Sequence, residues 1–117
     1  MIKVSMYRQP DGYMLQLRLK GHAGYATEGD DIVCSSASIL AYTVAQIVKV
    51  GYDHGDLEGE PTINMEAGNA TIRCVPKPDA YAGILSAFAV AQVGYGLIAH
   101  NYPDYVQLKP FGEAIEP

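Results

Sequence analysis

At 117 residues the chain fits one domain, and 49% apolar against 18% charged residues exclude a disordered tail. The net charge of -5 argues against nonspecific nucleic-acid binding, because no basic stripe is expected to displace phosphate counterions; a basic protein remains open as partner. Met1 leads straight into a strand-like run rather than a basic segment and an apolar one, and two cysteines make no disulfide framework, so free thiols in a reducing cytoplasm are expected.

Ile2, Val4 and Met6 alternate with Lys3, Ser5 and Tyr7, as do Tyr13, Leu15, Leu17 and Leu19 with Met14, Gln16, Arg18 and Lys20, and Pro10-Asp11-Gly12 supplies the turn between them. The chain is therefore predicted to begin with a β-hairpin. Residues 21 to 31 lack periodicity and carry Gly21, Gly24 and Gly29, which mark an exposed, flexible loop. A helix follows, with Val33, Ala37, Leu40, Val44, Ile47 and Val48 on one face, Asp31 as its N-cap and Gly51 placed to end it.

An acidic, glycine-rich connector leads to a second hairpin, Thr62 to Glu66 and Asn69 to Val75, around Ala67-Gly68. Asp79 then starts a second helix that Pro103 forbids from continuing, and Tyr105 to Lys109 reads as a last strand. The order ββαββαβ implies a single α+β domain of two layers, a mainly antiparallel sheet with two helices on one face. Residues 80 to 100 contain no Asp, Glu, Lys or Arg. The flanks Pro78-Asp79 and Pro103-Asp104 carry no basic anchors, so a buried helix rather than a membrane span is expected. Its apolar surface exceeds what one sheet face covers, which points to a homodimer, with Phe88 and Ala91 as expected interface positions.

Cys34 falls in the first turn of the predicted helix, where unpaired amides and the macrodipole favour a thiolate. The loop upstream carries His22, and a thiolate beside an imidazolium is the pair that cysteine acyl transfer uses. Glu28, Asp30 and Asp31 oppose that activation. The amides of Cys34 and Ser35 are expected to face a developing oxyanion, and Ser38, one turn on, to shape the site. Cys74 shares a strand face with Ala70 and Ile72 and reads as core. No Cys-x-x-Cys pair exists, so no metal and no cofactor is expected. A non-catalytic peptide- or protein-binding module and a thiol redox protein are the competing readings.

The stretch Gly21-His22-Ala23-Gly24-Tyr25-Ala26, followed by Gly29-Asp30-Asp31-Ile32-Val33-Cys34, resembles the ribosomal-processing cysteine protease family, Prp. The resemblance implies a homodimeric Cys-His dyad protease that removes the N-terminal extension of large-subunit ribosomal protein twenty-seven, cutting after an aromatic pair. It implies His22 as base and Cys34 as nucleophile, with Asp31 and Ser38 in support and the glycine-rich loop closing on substrate. Two places depart from the family pattern: Glu28 stands where an aromatic is usual, and Ser35-Ser36 where small apolar residues are common.

Overall fold

Period-two alternation decides the sheet. In the computed structural model, which describes residues 1–27 and 29–112, β1 (Ile2–Arg8) and β2 (Leu15–Lys20) pair antiparallel. Ile2, Val4 and Met6 lie on the same buried face as Leu15, Leu17 and Leu19. The second hairpin, β3 (Thr62–Glu66) and β4 (Asn69–Cys74), joins through β4 against β2, which sets Leu17 opposite Ile72 and Leu19 opposite Ala70. A last strand, β5 (Val106–Lys109), runs parallel to β1. The sheet order is β3-β4-β2-β1-β5, and its apolar face is covered by α1 (Ile32–Asp53) and α2 (Tyr81–Asn101). The architecture is α+β, as the patterning predicts.

The helix ends differ from expectation in ways local chemistry explains. Asp31 does cap α1, but Gly51 does not end it. Gly51 is buried inside the last turn, where a β-carbon would lie 3.5 Å from Ile84 of α2. The chain reverses at Gly55, whose φ of 79° suits glycine. There the Gly55 amide donates to the Tyr52 carbonyl and the Asp56 amide to the Gly51 carbonyl, a Schellman closure. Asp79 lies before α2, whose N-cap is Ala80 with no side-chain hydrogen bond.

α1 and α2 are each long and apolar enough, by length and composition alone, to cross a membrane. Here each uses one face for packing. Phe88 and Ala91, expected at an interface, are buried in the core, and Tyr95 donates its buried hydroxyl to the Ala37 carbonyl at 2.9 Å, joining the two helices. The outward stripe of α2 is instead Val90, Val93 and Leu97, with Val90 71% exposed.

The opposite face of the sheet overturns the expectation that no basic stripe exists. Register places Lys3, Arg18, Lys20, Arg73 and Lys109 together on it, five of the eight Lys and Arg residues of the chain. Glu66 is the one acid among the strand residues on that face. Net charge averages over the whole surface and cannot register this segregation.

Candidate active site

The side chain that organises the site is Asp31. One carboxylate oxygen caps α1, accepting from the amides of Val33 (3.0 Å) and Cys34 (2.9 Å). The other accepts from the amides of Tyr25 (3.0 Å) and Ala26 (3.4 Å) in the preceding loop. The carboxylate is buried, and the Cys34 amide foremost, then those of Ala26, Tyr25 and Val33, hold its pKa below 3.8 against the opposing effect of desolvation. A loop without secondary structure is thereby fastened to the start of a helix.

Cys34 sits half-buried in the first turn of α1, and its Sγ accepts a hydrogen bond from the Ala23 amide at 3.3 Å. That donor comes from the loop rather than from the helix, and it suits a thiolate. The oxyanion assignment does not hold: the Cys34 amide is taken by Asp31, and the Ser35 amide donates to the Asp31 carbonyl at 3.0 Å as the first bond of the helix. Capping uses the very donors that a free helix start would offer.

His22 is placed from three directions. Its carbonyl accepts from the Met1 amino group at 2.6 Å, and the neighbouring Gly21 amide donates to the Gly68 carbonyl at 2.9 Å. The ring rests on the β3–β4 turn, where a β-carbon on Gly68 would lie 2.6 Å from Nε2. Among the described residues no hydrogen bond joins the ring to Sγ; the two residues meet as walls of one cavity of about 590 Å³. Ser35 and Ser38 line it from α1, and Met65, Glu66 and Ala67 from the second hairpin.

The loop glycines have a reason beyond mobility. Gly21, Gly24 and Gly29 all take positive φ, 95°, 70° and 95°, a region other residues rarely adopt. Tyr25 anchors the loop further, edge-on against Tyr102 at 5.4 Å and Tyr105 at 5.1 Å. Glu28, one of the two departures from the family pattern, lies outside the described residues.

Sequence reasoning missed the Ala23 amide and the whole contribution of the second hairpin. Ala67-Gly68 is visible as a turn, but its place under His22 follows from Asn69 pairing with Lys20, a contact between segments far apart in the chain. Cys74 is core as expected, its thiol pushed up to about 12 by burial. No grouping of His, Cys, Asp and Glu that could hold a metal occurs among the described residues.

A half-buried thiol at a capped helix start, with a loop histidine lining the same cleft, is an arrangement compatible with a thiol hydrolase. The family model for cysteine protease Prp matches residues 1–107, and the chain belongs to that family; it is a cysteine protease. It is similar to the crystal structure of the essential ribosomal processing protease Prp from S. aureus in complex with a covalently linked product peptide (TM-score 0.71, 25% identity, covering 95% of this chain and 99% of that one). The same S. aureus protease with a substrate peptide gives TM-score 0.65 at 20% identity, with 95% and 99% covered. SMU.848 from Streptococcus mutans shares the fold at TM-score 0.66 and 23% identity, with 93% and 92% covered. No curated protein matches.

Proposed function

We propose that the chain is a ribosomal-processing protease that removes the N-terminal extension from large-subunit ribosomal protein twenty-seven, using a His22–Cys34 dyad. The observation that carries this reading is one cleft containing a thiol at the start of α1, an amide hydrogen bond onto its sulfur and an imidazole on the facing loop. His22 takes the thiol proton and the Cys34 thiolate attacks the scissile carbonyl. His22 then protonates the departing amine, leaving a thioester. Water, deprotonated by His22, cleaves the thioester and releases the second product.

Asp31 acts by position, holding Cys34 and the loop in one frame, and Ser38 borders the cleft one turn along. The apolar part of the lining, Met65, Ala67, Ala70 and Tyr42 among it, suits the aromatic side chains implied at the cleavage point. Glu66 in the lining of the cleft suits a basic substrate. The enzyme is proposed to work in the cytoplasm as a homodimer, a reading supported by the exposed Val90, Val93 and Leu97 stripe.

The test is cleavage of a peptide copying the precursor extension, followed by mass spectrometry. Wild type should cut it at one bond, and Cys34→Ser and His22→Ala should not. Cleavage by Cys34→Ser at the wild-type rate would remove the thiol from the mechanism. Absence of cleavage by wild type, with Cys34 still reacting rapidly with iodoacetamide, would overturn the substrate assignment while leaving the thiol active.

A further inference from the structure

We propose that the open face of the sheet is a docking surface for single-stranded RNA. Strands lie about 4.8 Å apart and alternate residues about 7 Å apart along each strand, so cations on one face form a closely spaced grid. In register, Lys3 lies beside Lys20, and Ser5 beside Arg18 and Lys109. Arg73 stands opposite Gln16, whose Oε1 accepts from its Nε at 2.9 Å. All five cations are exposed.

The net negative charge of the chain does not cancel this face. At physiological salt a charge is felt over about 8 Å, whereas even the shortest principal extent of the molecule is 21 Å. Asp30, Asp31, Asp53 and Asp79 sit at the ends of α1 and α2, in the other layer. A polyanion approaching the sheet meets the local grid.

The chemistry of the face selects among polyanions. An acidic protein would need an apolar centre of several side chains to anchor an interface, and Tyr7 is the one aromatic among the strand residues of this face. Between the cations the strands present Ser5, Thr71, Asn64 and Gln107, hydroxyls and amides, with no aliphatic side chain. Phosphate contacts need only the cations, and base edges or ring faces can use the amides and the half-buried Tyr7. Lys20 is two residues before His22, so an RNA strand on the sheet would end beside the catalytic loop. A protease acting on a ribosomal protein would then engage protein with one layer and RNA with the other. The docking surface does not depend on which peptide is cut.

The test is fluorescence anisotropy of a fluorescein-labelled single-stranded RNA of about twenty nucleotides, titrated with the full chain at several salt concentrations. Five phosphate contacts predict a slope of log affinity on log salt near about -3.5, so affinity falls roughly a hundredfold between about 50 and 200 mM salt. The triple variant Lys3→Gln, Arg18→Gln, Lys109→Gln should bring the slope to about -1.4. It should still cut the precursor peptide at the wild-type rate, since none of the three lines the cleft. No binding at about 50 mM salt up to roughly 100 μM protein would overturn the proposal. So would a triple variant that binds RNA like wild type, or preference for polyglutamate over the RNA. Each of these outcomes is read without the precursor peptide and leaves the protease reading untouched.

Discussion

The ring of His22 occupies space that Gly68 leaves empty: a β-carbon there would stand 2.6 Å from Nε2. The hairpin turn is thus the floor under the imidazole, and it reaches that place because β4 pairs with β2, the strand that leads into His22. Gly68→Ala should therefore do two separable things. It strains a backbone at φ 74°, costing about 1–2 kcal/mol of stability. It also displaces the ring, which should lower kcat by about a hundredfold, the scale of an ångström misplacement. Gly55→Ala is the control, because its φ is 79° and nothing lies within 4 Å of the added carbon. Urea unfolding should rank the two alike while peptide cleavage separates them. Equal activity in both would mean the ring does not depend on the turn.

Asp31 has a pH signature. Its pKa is held below the ordinary 3.8, chiefly by the Cys34 amide, so the unfolded chain binds the proton more readily than the folded one. The stabilisation is complete above pH 3.8 and is lost as pH falls through the lower, folded value. Asp31→Asn should be less stable than wild type at neutral pH and should lack this part of the acid-induced loss. Urea midpoints measured from neutral pH down to about pH 2 check it. Parallel curves for the two proteins would show that the carboxylate is not specially held.

What the sequence makes legible follows from how far each interaction reaches along the chain. Alternation in β1 and β2, the cap Asp31 before Cys34 and the turn Ala67-Gly68 are local, and all stand where the residues place them. The oxyanion reading failed because it counted amides at a helix start without following the cap to its end: a side chain that accepts from Cys34 removes that donor. The Phe88 reading failed for a different reason. α2 is apolar on nearly every side, so periodicity cannot say which side faces in, and packing against Ala37, Leu40 and Gly51 of α1 decides it. The basic sheet face was hidden for the same reason as the floor beneath His22: both are made by strand register between distant segments.

The outward stripe of α2 moves the test of self-association to new positions. Val93 is 65% exposed and Phe88 is fully buried. Val93→Asp should leave the fold intact and shift the protein toward monomer, because a carboxylate placed in an apolar interface is not compensated there. Phe88→Asp should unfold the domain instead, by burying that charge in the core. Light scattering and circular dichroism on both variants separate the effects. A Val93→Asp protein with wild-type mass would exclude this stripe as the interface.

The loop of residues 21 to 29 invites the expectation that it is disordered until substrate arrives, since glycine costs the most backbone entropy to fix. Its amides argue otherwise. Gly21 donates to Gly68, Ala23 to the Cys34 sulfur, and Tyr25 and Ala26 to Asp31. Tyr25 is further held edge-on by Tyr102 and Tyr105. With the backbone on both sides of His22 fastened, the proposed dyad requires only a side-chain rotation of the ring away from the turn, a matter of picoseconds to nanoseconds where the ring is exposed. Substrate would then need to organise one imidazole rather than a whole loop, and the ordering entropy offset by peptide contacts is correspondingly small. Hydrogen exchange on the free protein reads this directly. The amides of Gly21, Ala23, Tyr25 and Ala26 should exchange measurably more slowly than their intrinsic rates, and binding of an inert substrate analogue should change them little. Exchange at intrinsic rates across all four in the free enzyme, with strong protection on binding, would restore a loop that folds on its substrate.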